Sequence, residues 1–212
     1  MPRTFVKATA IMIIGVEDLD YQEIIERRRA LVIEPFRSLT DVGFDGPWVT
    51  PYQIFSKSPD GPVLVALHWL EEETIRVQRP VLEKFGYLPD IRFNTVIDMA
   101  LKRQGLKRSD IYVTQTFHLI PQGRSERIPH SAIRRSFDEV TQYELRGRKV
   151  IALGDVAARE CTRHRIQHAA ICHPSRRGRS NEQNAAEIAA ALASLGFKQT
   201  GDRTNMLRQE SA

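Results

Sequence analysis

The apolar positions of the chain follow two rhythms. Short β-rich runs without strict alternation recur at Val63 to Leu67, Asp110 to Thr116, Lys149 to Leu153 and Ala169 to Cys172. Such runs are what strands buried on both faces look like. Between them, Arg92 to Gln104, Ser131 to Leu145 and Asp155 to His164 carry helical spacing. Strands alternating with helices predict an α/β fold, a three-layer α/β/α sandwich around a mostly parallel four-stranded sheet. The final helix is marked by Ser180 as N-cap, Gln183 as its capping-box partner, Ala185, Ile188, Leu192 and Leu195 on one face, and Gly196 as stop.

Before the first strand the pattern changes. From Tyr21 to Leu39, apolar residues at Ile24, Ile25, Leu31, Val32, Pro35 and Phe36 predict a long amphipathic helix, bent or ended near Pro35. Asp41 to Gly61 gathers Gly43, Gly46, Pro47, Pro51 and Pro59 and reads as a connector or irregular hairpin. The 212 residues therefore suggest one domain, with residues 1–61 as a helical extension and connector, 62–198 as core and 199–212 as a polar tail.

Composition narrows the class. With 42% hydrophobic and 27% charged residues, the chain can bury a core and lacks the bias of disordered sequences. No apolar run approaches the roughly 18 residues that span a bilayer, and the apolar run before Gly15 lacks a small-residue cleavage site. Membrane partners are not expected. Two cysteines, Cys161 and Cys172, supply neither a disulfide framework nor a four-ligand metal site, so a reducing, cytoplasmic or other intracellular setting is expected, with no metal and no cofactor. The formal charge is +5, and the stretch Arg159 to Arg179 holds six arginines against the single acid Glu160. A local basic patch suits a phosphate backbone.

In an open parallel sheet, ligands gather beyond the carboxyl ends of the strands. Those ends are His68-Trp69-Leu70-Glu71, Gln115-Thr116-Phe117-His118, Gly154-Asp155 and His173-Pro174-Ser175. Three of the four carry groups able to move a proton or hydrogen-bond a base.

The segment Ala170-Ile171-Cys172-His173-Pro174-Ser175 resembles the second signature motif of the uracil-DNA glycosylase superfamily. Asp110 to Gln115 resembles that superfamily's second strand, Pro121 the proline that follows it, and Val150 to Ala157 its third strand and turn. The resemblance spans about Pro62 to Leu195 and implies a protein that flips uracil or a related deaminated base from DNA and hydrolyses its N-glycosidic bond. It implies that His173 donates a hydrogen bond to the departing base, where negative charge grows in the transition state. It also implies base reading by Gln115, where family members commonly have asparagine, and a stacking aromatic, for which Phe93 beside Asn94, Trp69 and Phe117 are candidates.

Two departures stand out. The first motif is degenerate: Ala66 holds its glycine position and His68 its Asp/Asn position. His68 could orient water as a neutral imidazole, and one of Glu71, Glu72 and Glu73 could serve as carboxylate base if it turns inward, Glu71 being the choice. Otherwise these glutamates begin a solvated helix. Gly15-Val16-Glu17-Asp18 offers a second carboxylate turn, far before Gln115. After Ser175, the expected apolar wedge is replaced by Arg176-Arg177-Gly178-Arg179, suited to stacking or to clamping phosphates. Ala66, His68 and Gln115 also motivate an alternative, a catalytically inactive nucleic-acid-binding protein on the glycosylase fold. A small hydrolase of free nucleotides is a third reading, but the chain has no phosphate-cradling Gly-rich loop or nucleophile elbow.

Overall fold

A computed structural model describes residues 20–124 and 126–197. The Gly15–Asp18 turn, the apolar run before it and the polar tail lie outside the described residues. In chain order the elements are α1 (Tyr21–Ala30), β1 (Val63–Ala66), α2 (Glu72–Val77), α3 (Arg79–Phe85), α4 (Arg92–Gln104), β2 (Tyr112–Gln115), α5 (His130–Ser136), α6 (Gln142–Glu144), β3 (Val150–Leu153), α7 (Asp155–Arg163), β4 (His168–Ile171) and α8 (Asn181–Ser194).

The four strands pair in parallel in the order β2-β1-β3-β4, with Val63 opposite both Tyr112 and Val150, and Val150 opposite His168. Because successive side chains point to opposite faces, each short apolar run serves two cores. Leu64, Val113 and Ile151 pack with Val96, Ile97, Ala100 and Leu101 of α4 and Ile188 and Leu192 of α8. Val63, Val65, Val150 and Ala152 pack on the other face with Phe137, Leu145, Ala157 and Cys161. The protein is thus a three-layer α/β/α sandwich. A third cluster joins Ile24, Ile25 and Leu31 to Phe36, Phe117, Ile128 and Ile133.

Several expected boundaries move. The long helix foreseen from Tyr21 to Leu39 stops at Ala30, because Leu31 turns extended. Arg28, fully buried, supplies the reason: its guanidinium donates to Asp45 Oδ1 at 2.7 Å and to the Trp48 carbonyl at 2.8 Å. A buried cation needs such partners, and they lie on chain that must fold back over the helix end. The single helix foreseen from Ser131 to Leu145 is interrupted by a π-helical turn at Phe137–Thr141. There Thr141 Oγ1 donates to the Gln115 carbonyl at 2.8 Å, tying the turn to the end of β2. The final helix forms as expected, with Ser180 and Gln183 bonded reciprocally.

Residues 31–61 form no hairpin. They place Leu39, Phe44, Trp48 and Tyr52 in the main core, and they cover the outer edge of β2. Ser58 N–H donates to the Ile111 carbonyl at 3.0 Å and Val113 N–H to the Ser56 carbonyl at 3.1 Å. An edge strand left bare would present unpaired backbone groups, and this segment removes that exposure. No helix among the described residues is long and apolar enough to cross a membrane.

Candidate functional site

From β1 the chain passes to β2 on one side of the sheet and then to β3 on the other. Strand order therefore reverses between β1 and β3, and a crevice opens beyond their carboxyl ends. A cleft of about 540 Å³ lies there, within the size range of small-molecule sites. His68 and Trp69, just after β1, and His173, just after β4, line it together with Phe93 of α4.

His173 stands exposed at the mouth, on a turn closed by the Arg176 N–H donating to its carbonyl at 2.8 Å. Pro174 anchors that turn: its carbonyl accepts from the buried Asn184 Nδ2 of α8 at 2.9 Å. The Ser175 N–H donates to His173 Nδ1 at 3.1 Å. A ring nitrogen that accepts is unprotonated, so the neutral imidazole carries its proton on Nε2 and is a donor there. The His173 ring meets the Phe93 ring at 5.5 Å between centroids. Although one side meets solvent, its crowded surroundings and then the nearby His68 disfavour a charge, holding its pKa below the ordinary histidine value. Gly154, at the tip of β3, closes the base of this corner. Its φ is +100°, its N–H donates to the Ile171 carbonyl at 2.9 Å, and a Cβ there would come within 3.4 Å of the His173 Cβ.

His68 is half-buried, and its Nδ1 is enclosed without a partner in hydrogen-bonding geometry. Burial pushes its pKa down, opposed by the charge of Glu71. Glu71 reaches the same cleft from the N-cap position of α2, where its carboxylate accepts from the Thr74 hydroxyl. Glu72 pairs with Arg37, and Glu73, which also lines the cleft, pairs with Arg76 at 2.6 Å. The three glutamates thus begin a helix, and Glu71 is the one whose charge reaches His68.

Other expectations need correction. Gln115 is fully buried and does not line the cleft; its Oε1 accepts from Thr50 Oγ1 at 3.3 Å, while Nε2 is enclosed without a partner. Coverage of β2 by the preceding segment seals it in. Asn94 is likewise consumed by structure, donating to the Leu88 carbonyl at 3.0 Å and accepting from Arg108 at 3.2 Å. Trp69 walls the cleft, but its indole N–H donates to the Gly86 carbonyl at 3.0 Å and its ring packs 5.2 Å from Phe44. Phe117 lies in the third cluster, 4.9 Å from Phe36.

Acids packed around the basic stretch partly neutralise it. Arg163 pairs with both Asp138 and Glu160, and Arg179 with Glu187 of α8. Arg92 of α4 also donates to the Arg179 carbonyl, so this residue is fixed in place rather than held out to solvent. Arg176 is exposed with one contact, to Cys172 Sγ at 2.7 Å. Arg177 is exposed and makes no hydrogen bond or ion pair among the described residues.

Several cleft residues are not singled out by the sequence pattern, among them Thr74, Val77, Gln78, Leu88 and Ile91 and two more with polar groups to offer. Arg124 reaches it from the loop after β2, and Tyr52 from the segment taken for a connector. Arg124 had a signal in its position shortly after Pro121. Tyr52 had none, because nothing local says that residues 31–61 fold onto the strand ends. Among the described residues no group of three or more His, Cys, Asp or Glu side chains could hold a metal ion.

Compared with known proteins, the chain matches no family model and no curated protein.

Proposed function

We propose that the cleft receives a nucleobase turned out of DNA and that the protein hydrolyses the bond joining base to deoxyribose, uracil or a related deaminated base being the substrate. The observation that carries this reading is the meeting of His173 and Phe93, 5.5 Å apart, beside His68 in one cleft. Phe93 offers a face on which a flat ring can stack. As the glycosidic bond breaks, its electron pair leaves with the base nitrogen and spreads onto the base oxygen. The Nε2–H of neutral His173 is the donor suited to that growing charge, and it is held by the Ser175 N–H behind it. Water adds to the sugar carbon, and its proton passes to His68, whose depressed pKa leaves a free lone pair at neutral pH. Glu71 favours the imidazolium that results.

The test is release of base from single- and double-stranded oligonucleotides carrying uracil, hypoxanthine or xanthine, read as strand scission after alkali. Activity lowered about 10²–10³-fold by His173→Ala supports the reading; no abasic product from any of these bases overturns it. The burial of Gln115 favours a second reading, a glycosylase-like fold that binds nucleic acid without turnover. Retained DNA affinity with no base release across the panel selects it.

A further inference from the structure

Tyr52 lies outside the stretch that resembles the glycosylases, yet it lines the cleft. Its ring sits 6.1 Å from Phe93, so Tyr52, Phe93 and His173 form a continuous row of rings. The side chain is 3% exposed, and burial raises its pKa far above the ordinary phenol value, so it is a neutral O–H. A buried tyrosine hydroxyl usually has a hydrogen-bond partner. This one makes no hydrogen bond among the described residues, and it is not among the polar atoms sealed in the core without a partner.

The turn that carries it is held on three sides. Thr50 donates to Gln115 at 3.3 Å, and Gln53 Nε2 donates to Glu144 Oε1 at 2.8 Å. The Pro51 carbonyl packs against Gly86, whose φ is +72° and where a Cβ would lie 1.9 Å from that oxygen. Only glycine admits so close an approach. Such neighbours fix Tyr52 while its hydroxyl is left free.

We propose that the Tyr52 hydroxyl donates a hydrogen bond to a ring carbonyl of the bound base, making Tyr52 a positioning and specificity residue supplied by the N-terminal segment. This rests on the base-excision reading of the cleft. The experiment compares wild type with Tyr52→Phe, which keeps the ring and removes only the hydroxyl. Single-turnover base release is measured on oligonucleotides carrying uracil, 2-thiouracil, 4-thiouracil, hypoxanthine and 6-thiohypoxanthine, with equal unfolding midpoints confirming the fold. Sulfur accepts hydrogen bonds weakly. Tyr52→Phe is expected to slow release of the carbonyl base about tenfold, the size of one net hydrogen bond, while the thio base altered at the contacted position loses less than about twofold. Equal losses on oxygen and sulfur bases, or no loss on any, overturn the role of Tyr52 alone. Failure of the wild type to release any of the five removes the base-excision reading and this inference with it.

Discussion

Among the described residues, the cluster of histidine, carboxylate and aromatic groups behind β2 and the one at the cleft are built oppositely. Behind β2, Glu144 is buried and accepts from Gln53 at 2.8 Å, from the Tyr112 hydroxyl at 2.6 Å and from Thr114 at 2.5 Å. His118 lies 3.6 Å from the same carboxylate and bonds Thr141 at 3.1 Å. Desolvation drives the His118 pKa down to about 3, so the two do not form an ion pair at neutral pH. At the cleft, by contrast, the Tyr52 hydroxyl and the proton-bearing edge of His173 make no hydrogen bond among the described residues and are not sealed in, and the chain holds the rings from behind. Glu144 is bonded on most sides and serves the fold; on the proposed reading the cleft groups keep a side open for the ligand.

The largest effect should come from breaking the bonded cluster. Glu144→Ala leaves three donors without their acceptor and opens a cavity, a loss of about 3–5 kcal/mol in unfolding free energy by urea titration. Glu144→Gln sharpens the point through pH. Burial raises the Glu144 pKa from 4.5 to about 7, so folding takes up a proton in that interval. The stabilisation Glu144 contributes is complete below pH 4.5 and lost as pH rises through about 7. The unfolding free energy of wild type minus that of Glu144→Gln should therefore fall across this window and level off above it. A difference independent of pH would show that the carboxyl is not titrating there.

At the cleft the same kind of deletion should spare the fold and remove the chemistry. His173→Ala is expected to lower base release about 10²–10³-fold, the size of one lost transition-state donor. Because His173 is exposed at the cleft mouth, unfolding free energy should change by less than about 0.5 kcal/mol. A large loss of stability with no change in turnover would move His173 into the structural class and dissolve the contrast between the clusters.

The contrast also explains what the sequence could disclose. The sheet, α4 and α8 were legible because their signals are local: apolar runs, helical spacing, a serine cap and a glycine stop. His68 and His173 followed from knowing that strand ends converge, and Phe93 from the stacking aromatic that the resemblance implies. Gln115 and Asn94 looked like base readers because amides suit that task, but their burial depends on Thr50 and Arg108, distant in sequence. Arg179 was read as a phosphate clamp, but the first turns of α8 bring Glu187, eight residues on, back to its guanidinium. The end of α1 at Ala30 was hidden for the same reason, since the Asp45 that satisfies Arg28 lies beyond the helix. Periodicity reports which face is apolar, not which polar group has already found its partner.

Gly154 tests how tightly the corner at β3 and β4 holds His173. At φ +100° and ψ 169° it occupies backbone space that residues with a Cβ rarely enter. The cavity-side contact at 3.4 Å is ordinary, so strain rather than collision is the expected penalty. Gly154→Ala should lower unfolding free energy by about 1–3 kcal/mol and slow base release, as the β3 tip shifts under the His173 backbone. Lost stability with unaltered release would show that His173 is positioned by Pro174 and Ser175 alone.

The smallest effect separates the two arginines that looked alike in sequence. Arg177 is solvent-exposed with no partner among the described residues, while the Arg179 guanidinium is matched by Glu187. Each phosphate neutralised by a free cation releases about one counterion, so Arg177→Ala should reduce the dependence of log affinity on log salt by about one unit. Arg179 brings its own counter-charge, and Arg179→Ala should leave that slope unchanged and barely move the unfolding midpoint, as a surface pair does. Equal slopes for wild type and both variants would mean that the Arg176–Arg179 loop does not meet the nucleic-acid backbone. A reduced slope for Arg179→Ala alone would mean that Glu187 gives up its partner on binding, turning the fixed arginine into the functional one.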